Sequence, residues 1–303
     1  MVVWSVGEVL WDVFPDQERF GGAPLNFCTN TRRLGDQATL LSAVGDDVRG
    51  QLALDRMRQL GLATEGVRQV DDLPTGIATI FTTPEGEPAY EIPRPAAFDR
   101  VATDTAIFST AKAAGVDWLY FGTLLQTTMK IERFTTELAR HLQPSRALYD
   151  MNLRIGHWSL PLVQRLSRLA SVLKLNEDEA QTLFRLTQAE DAVFSLEDFC
   201  RLWASEYAID TICVTLGPAG CLIYDRGDIC RVPGFRVTVR DTVGSGDAFA
   251  AAFLHGYHRG WPMLRTARFA NALGALVASR PGSTPDWTVD EVLAMLESPA
   301  PAE

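Results

Sequence analysis

Apolar and polar residues change their period several times along the chain, and those changes lay out its elements. Residues 2–7 form an apolar run that predicts a buried strand. In 9–14, Val9, Trp11 and Val13 alternate with Leu10, Asp12 and Phe14, as a second strand requires. In the stretch FGGAPLNFCTNTRRLG, Gly21 and Gly22 permit a close backbone approach, Pro24 suits the first turn of a helix, and Gly35 closes it. Read alone, this is a ligand-contacting turn or a plain helix start, and Asn26 in its first turn carries both a donor and an acceptor for a polyol. A strand over 38–44 and a helix over 46–59 follow, ended by Gly61.

From 66 to 92 the pattern switches to strands and turns: VRQV, DDLP, TGIATIFTT, PEGE, AYEI. These hairpins, with the second strand, predict a small antiparallel β lid built from about 9–20 and 66–95. Helices over 129–141, 160–169 and 196–207 then alternate with the strands DWLYFG, RALYDMN, SVLKLN and DTICVTL. The fold class expected is α/β, a mostly parallel sheet covered by helices on both faces, with 1–303 as one domain plus lid. Ligands in such folds bind beyond the carboxyl ends of the strands, which here carry Gly122, Asn152 with Arg154, Asn176 with Glu179, and Gly217 with Gly220.

Near the end, DTVGSGDAFAAAFLHGY reads as a strand-like lead-in over 237–240, a glycine turn, and a helix too apolar and small-sided for a surface. That helix starts inside the protein, so its free N–H groups from Ser245 onward should hold an anion, most naturally a phosphate. Asp247 sits at the same end. A carboxylate there either caps the helix or takes a proton from a hydroxyl that attacks phosphorus.

Composition narrows the class. With 303 residues, 47% hydrophobic content and a net charge of −10, the chain can bury a large core and is unsuited to nucleic acid. Small-molecule chemistry leads. Five cysteines without a CxxC pair suit a reducing cytoplasm, and nothing in the chain predicts a signal peptide or a membrane span. The lysines Lys112, Lys130 and Lys174 all lack a P-loop context, and Phe249 stands where a dinucleotide fingerprint needs a small residue. His255 and His258 lack further ligands at metal spacing.

Two long motifs in order, DTVGSGDAFAAAF and GGAPLNFCTNTRRLG, resemble the signatures of the ribokinase-like (PfkB-type) carbohydrate kinases. KLNEDE, VTLGPAG and NALGALVA resemble intermediate motifs of that family, and the likeness spans essentially the whole chain. GGAP, YEIPRPAAFD and DMNLRIGHW are most similar to fructokinases, while Ser245 stands where the family more often has alanine. The resemblance implies transfer of the γ-phosphoryl of ATP to a sugar hydroxyl, with Asp247 as general base and the N–H groups of Gly244, Ser245 and Gly246 as anion hole. It places Asp12, Gly21, Gly22, Asn26, Tyr90 and Arg154 at the sugar, and Thr215, Gly217, Gly220 and Asn271 at the nucleotide. Asn176 and Glu179 would organise Mg2+ through water, although NEDE is also an ordinary capping sequence. A potassium ion near the anion hole would draw on Asp241, Thr242 and the 279–283 loop.

A 2-keto-3-deoxygluconate kinase, with Tyr90 and Arg94 facing the acid, is the rival within the family. Another sugar or nucleoside kinase, or a sugar-binding regulator, also uses this fold. Exposed lid strands would allow a lid-to-lid homodimer.

Overall fold

The computed structural model describes residues 1–82, 88–142, 146–189 and 191–297. Its strands are β1 (Val2–Val6), β2 (Leu10–Val13), β3 (Glu18–Gly21), β4 (Gln37–Gly45), β5 (Val67–Val70), β6 (Gly76–Thr82), β7 (Pro88–Glu91), β8 (Trp118–Gly122), β9 (Ala147–Asp150), β10 (Val172–Asn176), β11 (Thr211–Thr215), β12 (Cys221–Asp225) and β13 (Asp228–Val232). The α-helices are α1 (Ala23–Arg33), α2 (Val48–Gln59), α3 (Ala106–Ala113), α4 (Met129–His141), α5 (Leu160–Ser167), α6 (Glu177–Thr187), α7 (Leu196–Tyr207), α8 (Ser245–His258), α9 (Met263–Ala278) and α10 (Val289–Glu297).

Nine of the described strands form one sheet in the order β13-β12-β11-β10-β9-β8-β1-β4-β5. Pairing is parallel from β11 through to β5, and antiparallel where β12 and β13 turn back on the edge. The two-residue period of the strands divides the core between the faces. Trp4, Leu119, Phe121, Leu173 and Ile212 meet the helices from α3 to α7, while Val3, Trp118, Tyr120, Val172 and Cys213 meet α1, α2 and α8 to α10. Helix α8 runs through the second layer almost wholly buried, and Ala248, Ala250, Ala251 and Ala252 let α1 and α9 close on it.

The small sheet has the order β3-β2-β6-β7 and differs from expectation in two ways. It is mixed, because β2 and β6 run parallel while the outer pairs are antiparallel. Residues 67–70 do not belong to it. They pair with β4 at the edge of the main sheet, since Val67 and Val70 find apolar cover there. The strand expected over 237–240 is also absent. The chain leaves edge strand β13 at Pro233 and crosses to the start of α8 without a neighbouring strand to pair with.

Candidate active site

Strands β1, β8, β9, β10 and β11 end together, and the start of α8 faces those ends. Gly244 caps the helix in the left-handed region (φ 81), and a Cβ there would come within 2.1 Å of the Ser283 carbonyl oxygen. The Ser245 N–H turns back to Thr242 O at 3.3 Å. The N–H groups of Gly244, Gly246 and Asp247 have no partner among the described residues. Three unpaired backbone donors at a partly buried, positive helix end therefore border open space.

That space is a cavity of about 390 Å³. Asp247 forms part of its floor, 8% exposed, and accepts a hydrogen bond of 2.9 Å from Asn26 Nδ2 instead of bonding its own first turn. Its side chain makes no capping hydrogen bond to the start of α8. Asp12, Gly22, Arg154 and Asn176 line the same cavity. Gly22 is required by its φ of 118 and by the Glu8 carbonyl oxygen, which would lie 2.6 Å from a Cβ. Two buried polar atoms, Asn26 Oδ1 and Asn152 Nδ2, have no hydrogen-bond partner among the described residues. Groups of this kind are held for a ligand or for water.

Three acidic side chains share this cavity, and burial is the first cause of their displacement. It lifts Asp247 to about 6, with the charge of Asp150 adding to the rise while Lys174, the Asn26 amide and Arg154 oppose it. Burial likewise lifts Asp12 to about 6 against Arg154 and Arg19, and Glu8 to about 7.

A second cavity, of about 370 Å³, adjoins the first. Gly217, Pro218 and Gly220 after β11, Phe235 and Val239 beyond β13, and Phe249 with Ala275 on α8 and α9 make it largely apolar. Asn271 holds one wall in place by donating to Val232 O and Pro233 O, both at 3.1 Å. Thr215, Thr242 and Gly246 belong to both cavities, so the glycine turn is their shared wall. A polar cleft and an apolar cleft meet at unpaired backbone N–H groups beside a buried carboxylate. Residues 6–289 match the pfkB family of carbohydrate kinases. The chain belongs to that family.

Among curated relatives of this pfkB-family protein, fructokinase-1 of Zea mays is 28% identical over 98% of each chain. Aminoimidazole riboside kinase of Salmonella typhimurium is 27% identical over 93% of this chain and 90% of its own. Among solved structures, a fructokinase of Xylella fastidiosa with bound ATP superposes with TM-score 0.84 at 24% identity, over 97% and 98% of the two chains. A ribokinase II of E. coli described as putative, in complex with ATP and Mg2+, superposes with TM-score 0.83 at 19% identity, over 98% and 99%. No helix among the described residues is long and apolar enough to cross a membrane.

Several expected site residues of the pfkB-family chain lie elsewhere or are engaged otherwise. Gly21 pairs with Leu10 in the small sheet and does not line the cavity, and the side chain of Tyr90 lies outside the described residues. Glu179 is 9% exposed, and both its oxygens accept backbone N–H groups, Leu153 at 2.7 Å and Asn176 at 2.9 Å. Asn176 Oδ1 in turn accepts the Glu179 N–H at 2.8 Å. This closed capping box orients the 152–154 loop and engages each Glu179 oxygen with one backbone N–H. Arg94 is also occupied. Its guanidinium pairs with Asp99 and donates to Leu124 O, Thr127 and Thr128, so it cannot serve as the cation for an acidic substrate. Around Asp241 the neighbours are donors, Arg19 with the N–H groups of Val243 and Gly282, so its carboxylate does not form part of an oxygen cage for potassium.

Conversely, the sequence assigns no role to Glu8, Asp150 or Lys174, and places Asn152 at a strand end without a specific task. Lys174 Nζ lies 2.9 Å from Asp150 Oδ1 and would be 3.0 Å from a Cβ on Gly246, directly beneath the glycine turn. Tyr120 OH donates to the other Asp150 oxygen at 2.8 Å. The only early signal was a lysine inside an otherwise apolar strand, VLKLN.

Proposed function

We propose that this protein is an ATP-dependent fructokinase. The observation that carries the reading is the shared wall, where a polyol-sized polar cavity and an apolar nucleotide-sized cavity meet at the unpaired N–H groups of Gly244, Gly246 and Asp247. The γ-phosphoryl would lie on those N–H groups, and Asp247 would take the proton from the sugar hydroxyl as the hydroxyl oxygen attacks. Asp12, Asn26 and Asn152 would bind the remaining hydroxyls, and Arg154, which is exposed at the mouth, would meet the phosphates or the sugar. Gly217, Gly220 and Asn271 fit the base and ribose. No cluster of metal-ligating side chains occurs among the described residues, so Mg2+ would arrive on the ATP phosphates with Asn176 at the cavity wall nearby. The small sheet supplies Leu10, Asp12 and Ala78 to the cavity and would act as its lid, and its β3 and β7 edges offer the surface for a dimer.

Electrostatics favour a neutral ketose over a keto acid. Glu8, Asp12 and Asp247 all face the cavity, and of the cations near it Lys174 is already paired. A carboxylate substrate would add a fourth acid with only Arg154 to meet it. A screen of ATP consumption over fructose, ribose, aminoimidazole riboside and 2-keto-3-deoxygluconate tests the choice, and turnover of the keto acid without turnover of fructose would overturn it. In a thermal melt Arg94→Gln is expected to lower the Tm, because it strips Asp99 of its ionic partner, while in the turnover assay the KM for the sugar stays within about twofold.

The acid limb of the pH profile gives a further test. Asp247 can accept a proton only when ionised, and its folded-state pKa is raised. The value of kcat/KM is therefore expected to fall by about tenfold per pH unit below about pH 6. An ordinary carboxylate would hold its activity down to about pH 4. A profile flat from pH 7 to pH 5 would remove Asp247 from the base role.

A further inference from the structure

Asp241 opens the glycine turn and is the meeting point of three segments. Its Oδ1 accepts the Val243 N–H at 3.0 Å within the turn, and its Oδ2 accepts the Gly282 N–H at 3.1 Å from the 279–283 loop. The same Oδ2 is ion-paired with Nη1 of Arg19, which comes from β3 of the small sheet. The Asp241 side chain is 11% exposed and that of Arg19 is 32% exposed, so the pair is partly withdrawn from water. Arg19 is itself fixed, its Nε donating to Gln17 Oε1 at 3.2 Å and its guanidinium lying 4.9 Å from the centre of the Phe14 ring. Across the strand pair it stands opposite Asp12, the acid on the sugar side.

A monovalent cation needs a shell of oxygens, and Asp241 is surrounded instead by two N–H groups and a guanidinium. These donors repel a cation. They also do what a cation would do there. An uncompensated carboxylate at the base of the turn would oppose the phosphate held by the N–H groups of 244–247, and the Arg19 charge cancels it. The Ser283 carbonyl packed against Gly244 ties the same loop to the turn, and Ser283 Oγ donates to Phe20 O at 3.2 Å, next to Arg19 in β3.

We propose that Arg19 is the built-in cation of the anion-binding turn, so that phosphoryl transfer in this protein needs no monovalent metal ion. The inference rests on the kinase reading above for the phosphate it serves. Arg19 does not touch the reacting atoms. It is a positioning residue that acts through Asp241, and its origin on the small sheet makes the shape of the turn depend on how that sheet is seated.

The experiment compares potassium chloride, sodium chloride and choline chloride at equal ionic strength, using the intact protein. Three quantities are read: kcat with MgATP and the sugar found by the screen, the Kd for MgATP by calorimetry, and the Tm of the ligand-free protein. The wild-type values are expected to agree within about twofold across the three salts. Arg19→Gln in choline chloride is expected to lose about tenfold or more in kcat and in MgATP affinity. Arg19→Lys, which keeps the charge and is the safer variant for folding, should retain most of both. Added guanidinium at low concentration should restore part of what Arg19→Gln lost. Several-fold stimulation of the wild type by potassium over choline would overturn the proposal, and so would unchanged kcat and MgATP affinity in a folded Arg19→Gln protein. If none of the sugars is turned over, the kinase reading fails, yet the salt dependence of MgATP binding still decides the role of Arg19.

Discussion

Asp247→Asn is expected to lower kcat by about 10²- to 10⁴-fold while the protein folds and binds both ligands. The side chain keeps its volume, and its amide oxygen can still accept the 2.9 Å hydrogen bond from Asn26, so the cavity floor stays in place. The proposed anion site is made of backbone N–H groups and does not depend on the carboxylate. Stability gives an independent check. A buried carboxyl raised to about 6 is held ionised at neutral pH at a cost, and that cost is present above the folded pKa and relieved as pH falls through it. Asparagine carries no such cost, so the Tm at pH 7.5 should be equal to or above that of the wild type. If Asp247 were a helix cap, the same change would cost about 1 kcal/mol and leave kcat near normal. The measurement is kcat alongside calorimetric binding of MgATP and sugar. A folded variant with near-wild-type kcat would refute the base.

The regions legible in the sequence are those where one segment decides its own structure. The helices over 129–141 and 196–207 fall on their predicted bounds because each carries a complete apolar stripe. The glycine turn before α8 declared itself because an apolar helix that starts on glycines can only start inside. What stayed hidden depends on a partner far along the chain. VRQV looks the same whether it joins a hairpin or adds in parallel to β4, and only the path of the 71–75 link decides between them. The acid at position 8 reads as an interruption of a strand until β1 and the cavity are placed. KLNEDE serves equally as a metal motif or a capping box, and the backbone N–H of Leu153, 26 residues upstream of Glu179, completes the second. Asp241 suggested a cation site by motif, and the arginine that occupies it arrives from residue 19.

Lys174 is the clearest case, and its removal carries the largest expected effect on stability. In the sheet it stands directly beside Asp150 of the neighbouring strand, with 6% of its surface exposed against 0% for its partner. Burial alone would lower the lysine pKa, but Asp150, Asp247 and Glu179 outweigh that and raise it, so the ammonium is charged wherever the protein is active. Lys174→Met strands the Asp150 carboxylate in the core with only the Tyr120 hydroxyl, and is expected to cost about 3–5 kcal/mol in urea unfolding. It also withdraws a positive charge from beside Asp247. The Asp247 pKa should therefore rise, and the acid limb of kcat/KM should move above pH 6. The double variant Lys174→Met with Asp150→Asn separates the two effects. Neutralising the stranded acid should return most of the lost stability. It should also take away the charge that pushes Asp247 up, moving the acid limb back down. Turnover at the pH optimum should nevertheless stay well below wild type, because the glycine turn has lost the cation beneath Gly246. A double variant that regains both stability and full kcat would reduce Lys174 to a packing residue and leave the backbone donors of 244–247 to hold the phosphoryl group alone.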